Sequence, residues 1–253
     1  MADMEIEDAE DVNDDALLVV NEVFYRYGSA TALTNVSFSL DKGQLVALVG
    51  RNGAGKSTLL RCLAAWAGIE RGDIIIDRVR TSLNERAARE KTMLIPDTPP
   101  FYDELTAWEH LQFIAQLHHI TNWKLNAEVL LHDFDLWESH NASPTTFSRG
   151  MRYKLAVCMA FLVNPSLLLM DEPFGPLDPN AAEVLWNALR ERTKNGMTVL
   201  FSSHALPTDD QPDSYLIIDQ GKIITHGTAE TVTGSTDSTA WSLNAILRAA
   251  LDE

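Results

Sequence analysis

"QLVALVGRNGAGKSTLLRCLAAWAG", residues 44–68, decides how the rest of the chain is read. Leu45 to Val49 form an apolar run fit for a buried strand, and a glycine-rich turn follows at once. Leu59, Leu60, Leu63 and Ala67 then recur at helical spacing on one face, with Gly68 as the predicted stop. Within this strand–turn–helix, "GRNGAGKST" (Gly50 to Thr58) fits G-x-x-x-x-G-K-[ST]. Gly50, Gly53 and Gly55 let backbone N–H groups wrap a phosphate chain without Cβ clashes, with Asn52 and Ala54 in the same loop. The helix N-terminus adds a dipole that favours anions. Lys56 is placed to reach β- and γ-phosphates, the Ser57 hydroxyl to ligate Mg²⁺, and Thr58 to touch the α-phosphate. The motif alone does not separate kinases, GTPases and transport ATPases.

A triphosphate–magnesium site needs a second acid at the end of a neighbouring buried strand. "LLLMDEPFGPLDP", residues 167–179, supplies one: four apolar residues end in Asp171 and Glu172. Asp171 is the expected Mg²⁺-side acid. Strand alternation predicts that Glu172 points elsewhere, free to act as general base on the attacking water. Repulsion between the two is offset by the metal. Asp178 before Pro179 reads as an N-cap with proline at the first helical position. A third apolar strand, "TVLFSSH", delivers His204 to the same crevice. Site and fold rest on one expectation: three strand ends converge so that Lys56, Asp171 and His204 surround one triphosphate–magnesium pair.

Further out, "LLVVNEVFYRYG" and "TALTNVSFSL" read as strands joined by a turn at Gly28-Ser29. "DIIIDR" (73–78) and "TMLIPD" (92–97) read as strands. Residues 98–165 switch to helical pattern, beginning with a capping box at Thr106/Glu109 and with Trp108, Leu111, Ile114 and Leu117 at three-residue intervals. Strand 167–170, helix 180–193, strand 198–201 and strands near 215–225 complete the order. Strands alternating with helices predict an α/β fold with a mainly parallel central sheet, into which the helical block is inserted. Pro207 and Pro212 predict a loop after His204.

The chain has 253 residues and a net charge of −16, half of it from eight acids among residues 1–15. That segment reads as a disordered solvating tail, with an acidic docking arm as the alternative. Such acidity argues against a broad nucleic-acid surface. The longest apolar run, "LAVCMAFLV", is too short to cross a bilayer, and no signal peptide is visible, so a cytosolic protein is expected. Cys62 and Cys158 fall in apolar helical patterns and read as buried thiols.

Taken together, "GRNGAGKST", a helical insert, "FSRGM", "LLLMDEP", "GPLD" and "SSH" resemble, in order, the nucleotide-binding subunit of an ABC transporter over residues 17–228. The resemblance implies a P-loop NTPase with an N-terminal antiparallel β-subdomain, an ATP-binding domain over 17–230, a helical subdomain at about 98–165, and a C-terminal tail with a short helix over 231–253. It implies ATP and Mg²⁺ as ligands, with Tyr27 stacking on adenine, Glu172 as catalytic base and His204 contacting the γ-phosphate. Ser148 and Gly150 would meet the ATP of a second ATP-binding subunit in a head-to-tail dimer, and Asp178 would lie on the loop crossing that interface. A separate transmembrane permease subunit is implied as partner, with the chain peripheral on the cytoplasmic face of the membrane and touching it only through that partner. Phe101, Tyr102 and Trp108 are the expected docking surface.

Two positions depart from the family's pattern. Arg149 replaces a glycine of the signature, in the manner of ABC-2-type exporter ATPases. Asp97 stands where most members carry a glutamine that contacts Mg²⁺, so Asp97 joins Ser57 and Asp171 as an expected metal-side group. Two other readings stay open: a low-turnover regulatory half of a heterodimer, and a soluble ABC-type ATPase acting on DNA or ribosomes. His110, His118 and His119 have poor spacing for a metal site.

Overall fold

A computed structural model describes residues 16–206, 210–234 and 242–251. The acidic segment 1–15, Pro207 and part of the tail expected over 231–253 lie outside them. In chain order, Ala16–Tyr27 (β1), Ala30–Asp41 (β2) and Leu45–Val49 (β3) lead into helix Lys56–Leu63 (α1). Arg71–Ile76 (β4), Val79–Arg80 (β5), Glu85–Lys91 (α2) and Thr92–Ile95 (β6) follow. Helices Ala107–Leu117 (α3), Trp123–Asp133 (α4) and Arg149–Val163 (α5) separate β6 from Leu167–Met170 (β7). The remainder is Pro179–Lys194 (α6), Thr198–Ser202 (β8), Ser214–Asp219 (β9), Lys222–Gly227 (β10), Ala229–Thr233 (α7) and Leu243–Ala250 (α8).

One sheet has the order β10-β9-β3-β8-β7-β6, parallel throughout except for the β9–β10 hairpin. The other is antiparallel, in the order β2-β1-β4-β5. Both sheets and the inserted helices match the expected fold class. Every residue of β3, β7 and β8 is buried, as a parallel sheet covered on both faces requires. Alternation divides them cleanly. Leu45, Ala47, Val49, Leu168, Met170, Val199 and Phe201 face a core shared with the helical insert and α6. Val46, Leu48, Leu167, Leu169 and Leu200 face a second core shared with α1 and the antiparallel sheet. Among the described residues, no helix is long and apolar enough to cross a membrane.

Local departures from the sequence reading have identifiable causes. Helix α1 stops at Leu63, short of Gly68, because Ala65 takes a left-handed conformation at φ 54°. The Trp66 N–H bonds Arg61 O and the Ala65 N–H bonds Cys62 O, which is a Schellman cap built on alanine. The strand expected over 73–78 ends at Ile76, since Asp77 and Arg78 both have positive φ and make a tight hairpin turn into β5. Helix α2 follows a polar stretch with no apolar stripe and was not legible; its start is the Asn84 cap on the Ala87 N–H.

Within the insert, the capping box of Thr106 and Glu109 is present. The three-residue series drifts by about 60° per step on a 3.6-residue helix. Leu111 and Ile114 are therefore buried while Leu117 has rolled out to 61% exposure. His110 is buried and fully engaged: its Nδ1 lies 2.8 Å from Thr106 O, and its Nε2 accepts the Tyr102 N–H at 3.0 Å. Beyond His204, residues 205–206 and 210–213 are not helical. Arg190 of α6 holds this segment by pairing with Asp210 at 3.0 Å and Asp213 at 2.7 Å.

Candidate functional site

Strands β3, β8 and β7 are parallel neighbours, so their C-terminal ends open on one edge of the sheet, where ligands of such folds bind. That edge carries the loop after β3, Ser202 to His204 after β8, and Asp171-Glu172 after β7. A cleft of about 860 Å³ collects them: Lys56, Ser57, Thr58, Asp171, Glu172 and His204 line it with Asn52, Gly53, Gly55 and Tyr27. The convergence expected of Lys56, Asp171 and His204 is thus the observed geometry.

The loop glycines serve different ends. Gly53 and Gly55 have φ of 80° and 109°, left-handed conformations that a side chain disfavours. Gly50 is required by crowding instead, because a Cβ there would fall 2.2 Å from Ile218 O on β9. Gly50 and Ala54 are buried beneath the cleft rather than lining it. Ala54 O accepts the Gly221 N–H at 2.9 Å, and Gly221 O accepts the Thr34 N–H at 2.8 Å. The β9–β10 turn therefore ties the loop to the antiparallel sheet. Lys56 turns its ammonium back onto the loop, donating to Gly50 O at 2.8 Å and Arg51 O at 3.4 Å. Burial lowers its pKa, against the attraction of Glu172 and Asp171.

Asp171 and Glu172 turn to different partners, as expected, yet both line one cleft. Glu172 has φ 49°, and this left-handed step turns its carboxylate into the cleft that Asp171 also lines. Glu172 Oε1 lies 3.1 Å from His204 Nε2 and 4.0 Å from Lys56 Nζ. Burial raises the Glu172 pKa; His204 and Lys56 pull it down, while Asp171 and Asp97 push it further up. Asp171 is held differently: Ser202 Oγ donates to its Oδ1 at 2.7 Å, and the Asp171 N–H bonds Ile95 O at 2.9 Å. Ser202 was missed in the sequence, although a polar residue closing an apolar strand two positions before the expected His204 was its signal.

Ser148, Gly150 and Asp178 do not line this cleft. Ser148 caps α5 through the Met151 N–H at 3.2 Å, and Asp178 caps α6 through the Ala181 N–H at 3.0 Å, which lowers the Asp178 pKa. Gly150 passes close to the 176–178 segment, where a Cβ would meet Pro176 O at 2.9 Å. Tyr27 is half exposed at the cleft's rim, edge-on to Tyr25 at 4.9 Å. Asp97 lines the cleft but is paired with Arg149 at 2.5 Å. Of the three aromatics expected to form a docking surface, Phe101 and Trp108 pack into the insert's core, and only Tyr102 is exposed.

These residues fit a magnesium nucleotide. A Cβ at Gly53 would meet nothing within 4 Å, so the loop presents bare backbone to open space. The Asp171 carboxylate and Ser57 hydroxyl are hard oxygen donors suited to Mg²⁺. Behind them, fully buried Tyr153 has a hydroxyl without a hydrogen-bond partner, its pKa raised by burial and then by Asp171, Asp97 and Glu172.

A family model described as ABC transporter matches residues 33–175. The chain is 35% identical to "ABC-type transporter ATP-binding protein EcsA" of Bacillus subtilis (strain 168), over 84% of this chain and 87% of that one. It is 32% identical to "SkfA peptide export ATP-binding protein SkfE" of the same organism, over 82% of this chain and 87% of that one. Among solved structures, "Structure of ATP binding subunit of ABC transporter" superposes with a TM-score of 0.86 at 32% identity, covering 93% of this chain and 99% of that one.

Proposed function

The chain belongs to the ABC transporter family, and on that premise we propose that it is the ATP-hydrolysing subunit of an exporter, driving a separate membrane-spanning partner. The observation that carries this reading is the placement of Glu172 Oε1 between His204 Nε2 at 3.1 Å and Lys56 Nζ at 4.0 Å. A base, a γ-phosphate contact and a phosphate-binding cation thus face one space. The peptide-export name of one relative supports the direction of transport.

In this reading the loop from Gly50 to Thr58 wraps the phosphates, Lys56 leaves its carbonyl partners to meet the β- and γ-phosphates, and Tyr27 takes the adenine. Ser57 and Asp171 hold Mg²⁺, which supplies charge neutralisation at the transferring phosphoryl group. Ser202 keeps Asp171 in place through its 2.7 Å hydrogen bond. Glu172 accepts the proton of the attacking water at Oε1, and its raised pKa makes it a better base than an ordinary carboxylate. His204 steadies the γ-phosphate end.

Ser148 and Gly150 stand outside their own chain's cleft, which supports the reading that they complete the cleft of a second subunit, with the α5 N-terminus offering its backbone N–H groups there. Exposed Tyr102, Phe113 and Leu117 form the surface offered to the membrane partner. A regulatory, low-turnover role is the second reading, favoured by the engagement of Asp97 with Arg149.

Steady-state ATP hydrolysis by the purified chain, alone and with its membrane partner, tests the assignment. Glu172→Gln should lower turnover about 100-fold or more, as loss of a general base does. Unchanged turnover would remove Glu172 from the mechanism. Binding without turnover in the parent chain would favour the regulatory role.

A further inference from the structure

Asp97 and Arg149, the two departures from the family pattern, touch each other. They are 52 residues apart in sequence, yet Arg149 Nη2 donates to Asp97 Oδ1 at 2.5 Å. Asp97 follows β6 of the central sheet, and Arg149 opens α5 of the helical insert. A cation in the first turn of a helix is disfavoured by the helix dipole, so Arg149 needs a counter-anion, and Asp97 is it.

The contact is part of a longer seam. Three residues further along α5, Arg152 donates to Pro99 O at 3.4 Å and stands 5.7 Å over the Phe101 ring. The first turns of α5 therefore grip the segment from Asp97 to Phe101, which leads to exposed Tyr102. Both members of the ion pair also line the cleft that holds Lys56, Ser57 and Asp171. The Asp97 carboxylate thus has two claimants in one space: the guanidinium now bonded to it and a divalent cation at Ser57 and Asp171. A carboxylate neutralised by a guanidinium attracts a metal less strongly.

We propose that Arg149 is a positioning residue that engages Asp97 in competition with the divalent cation, so that metal–nucleotide entry loosens the tie between α5 and the 97–101 segment. This rests on the nucleotide-binding reading above. The pair is exposed by 60% and 45%, so its energetic weight is that of a surface ion pair, and variants that break it keep their fold.

The test is Mg²⁺ titration of the full chain with a fluorescent, non-hydrolysable ATP analogue, in the parent and in Arg149→Gln, Arg149→Lys, Asp97→Asn and the double variant Arg149→Gln/Asp97→Asn. Arg149→Gln should lower the half-saturating Mg²⁺ concentration about 2- to 5-fold, the range open to an exposed ion pair. Arg149→Lys should retain the parent midpoint, and adding Arg149→Gln to Asp97→Asn should produce no shift. No shift from Arg149→Gln, or the same shift in both backgrounds, overturns the competition while leaving nucleotide binding intact. A parent chain that takes up no analogue at any Mg²⁺ concentration overturns the nucleotide reading and this inference with it.

Discussion

Ser202 fixes Asp171: its hydroxyl, on a fully buried residue, donates to Asp171 Oδ1 at 2.7 Å and accepts the Glu172 N–H at 2.9 Å. One side chain from β8 thus sets both acids at the end of β7. Ser202→Ala leaves a carboxylate oxygen and a backbone N–H without that partner in a buried setting. It should cost about 1–3 kcal/mol, read as a lower urea midpoint with an unchanged slope. A midpoint equal to the parent's would show that the hydroxyl bears no weight.

The raised pKa of Glu172 makes stability depend on pH. The native state keeps the proton longer than the unfolded chain, whose carboxyl titrates near its ordinary 4.5. Stability therefore falls as pH rises from that value through the raised native pKa, and the deficit persists above it. Glu172→Gln should melt higher than the parent at neutral pH, with the gap closing as pH falls below the carboxylate range. Thermal melts from pH 4 to pH 8 check this, and a gap independent of pH would contradict it.

Gly50 and Gly53 should respond differently to alanine. At Gly53 a Cβ meets open space and the cost is the left-handed backbone alone, about 1–2 kcal/mol. At Gly50 the Cβ meets Ile218 O at 2.2 Å, so strand β9 must move and the cost should reach about 3 kcal/mol or more. Urea unfolding of both variants ranks them, and the reverse order would refute the steric argument.

Ala65→Gly should stabilise. The Schellman cap of α1 holds alanine at φ 54°, where glycine carries no Cβ penalty. Relief of that strain, less the added freedom of glycine in the unfolded chain, leaves a gain of about 0.5–1 kcal/mol. Differential scanning calorimetry should show a higher Tm.

Much of the site was legible because its elements are local. An apolar strand, a glycine turn and a helix follow one another within residues 44–63, and the phosphate loop needs no distant residue to be recognised. The same holds for the caps at Thr106 and Asp178, each of which bonds a backbone N–H three residues on. Reading failed where a backbone torsion, not a residue type, decided the outcome. Alanine at position 65 and Asp77-Arg78 give no glycine signal, yet their left-handed conformations end a helix and a strand.

The sequence by itself determined that a phosphate loop, a buried strand ending in two acids and a third strand ending in histidine occur in this order, since periodicity and turn chemistry act over a few residues. Only the tertiary structure decided that Ser202 bridges Asp171 and Glu172, and that Asp97 spends its charge on Arg149. Those contacts join residues 30, 31 and 52 positions apart. Strand order and the docking of α5 create them, and neither is written in any local stretch of chain.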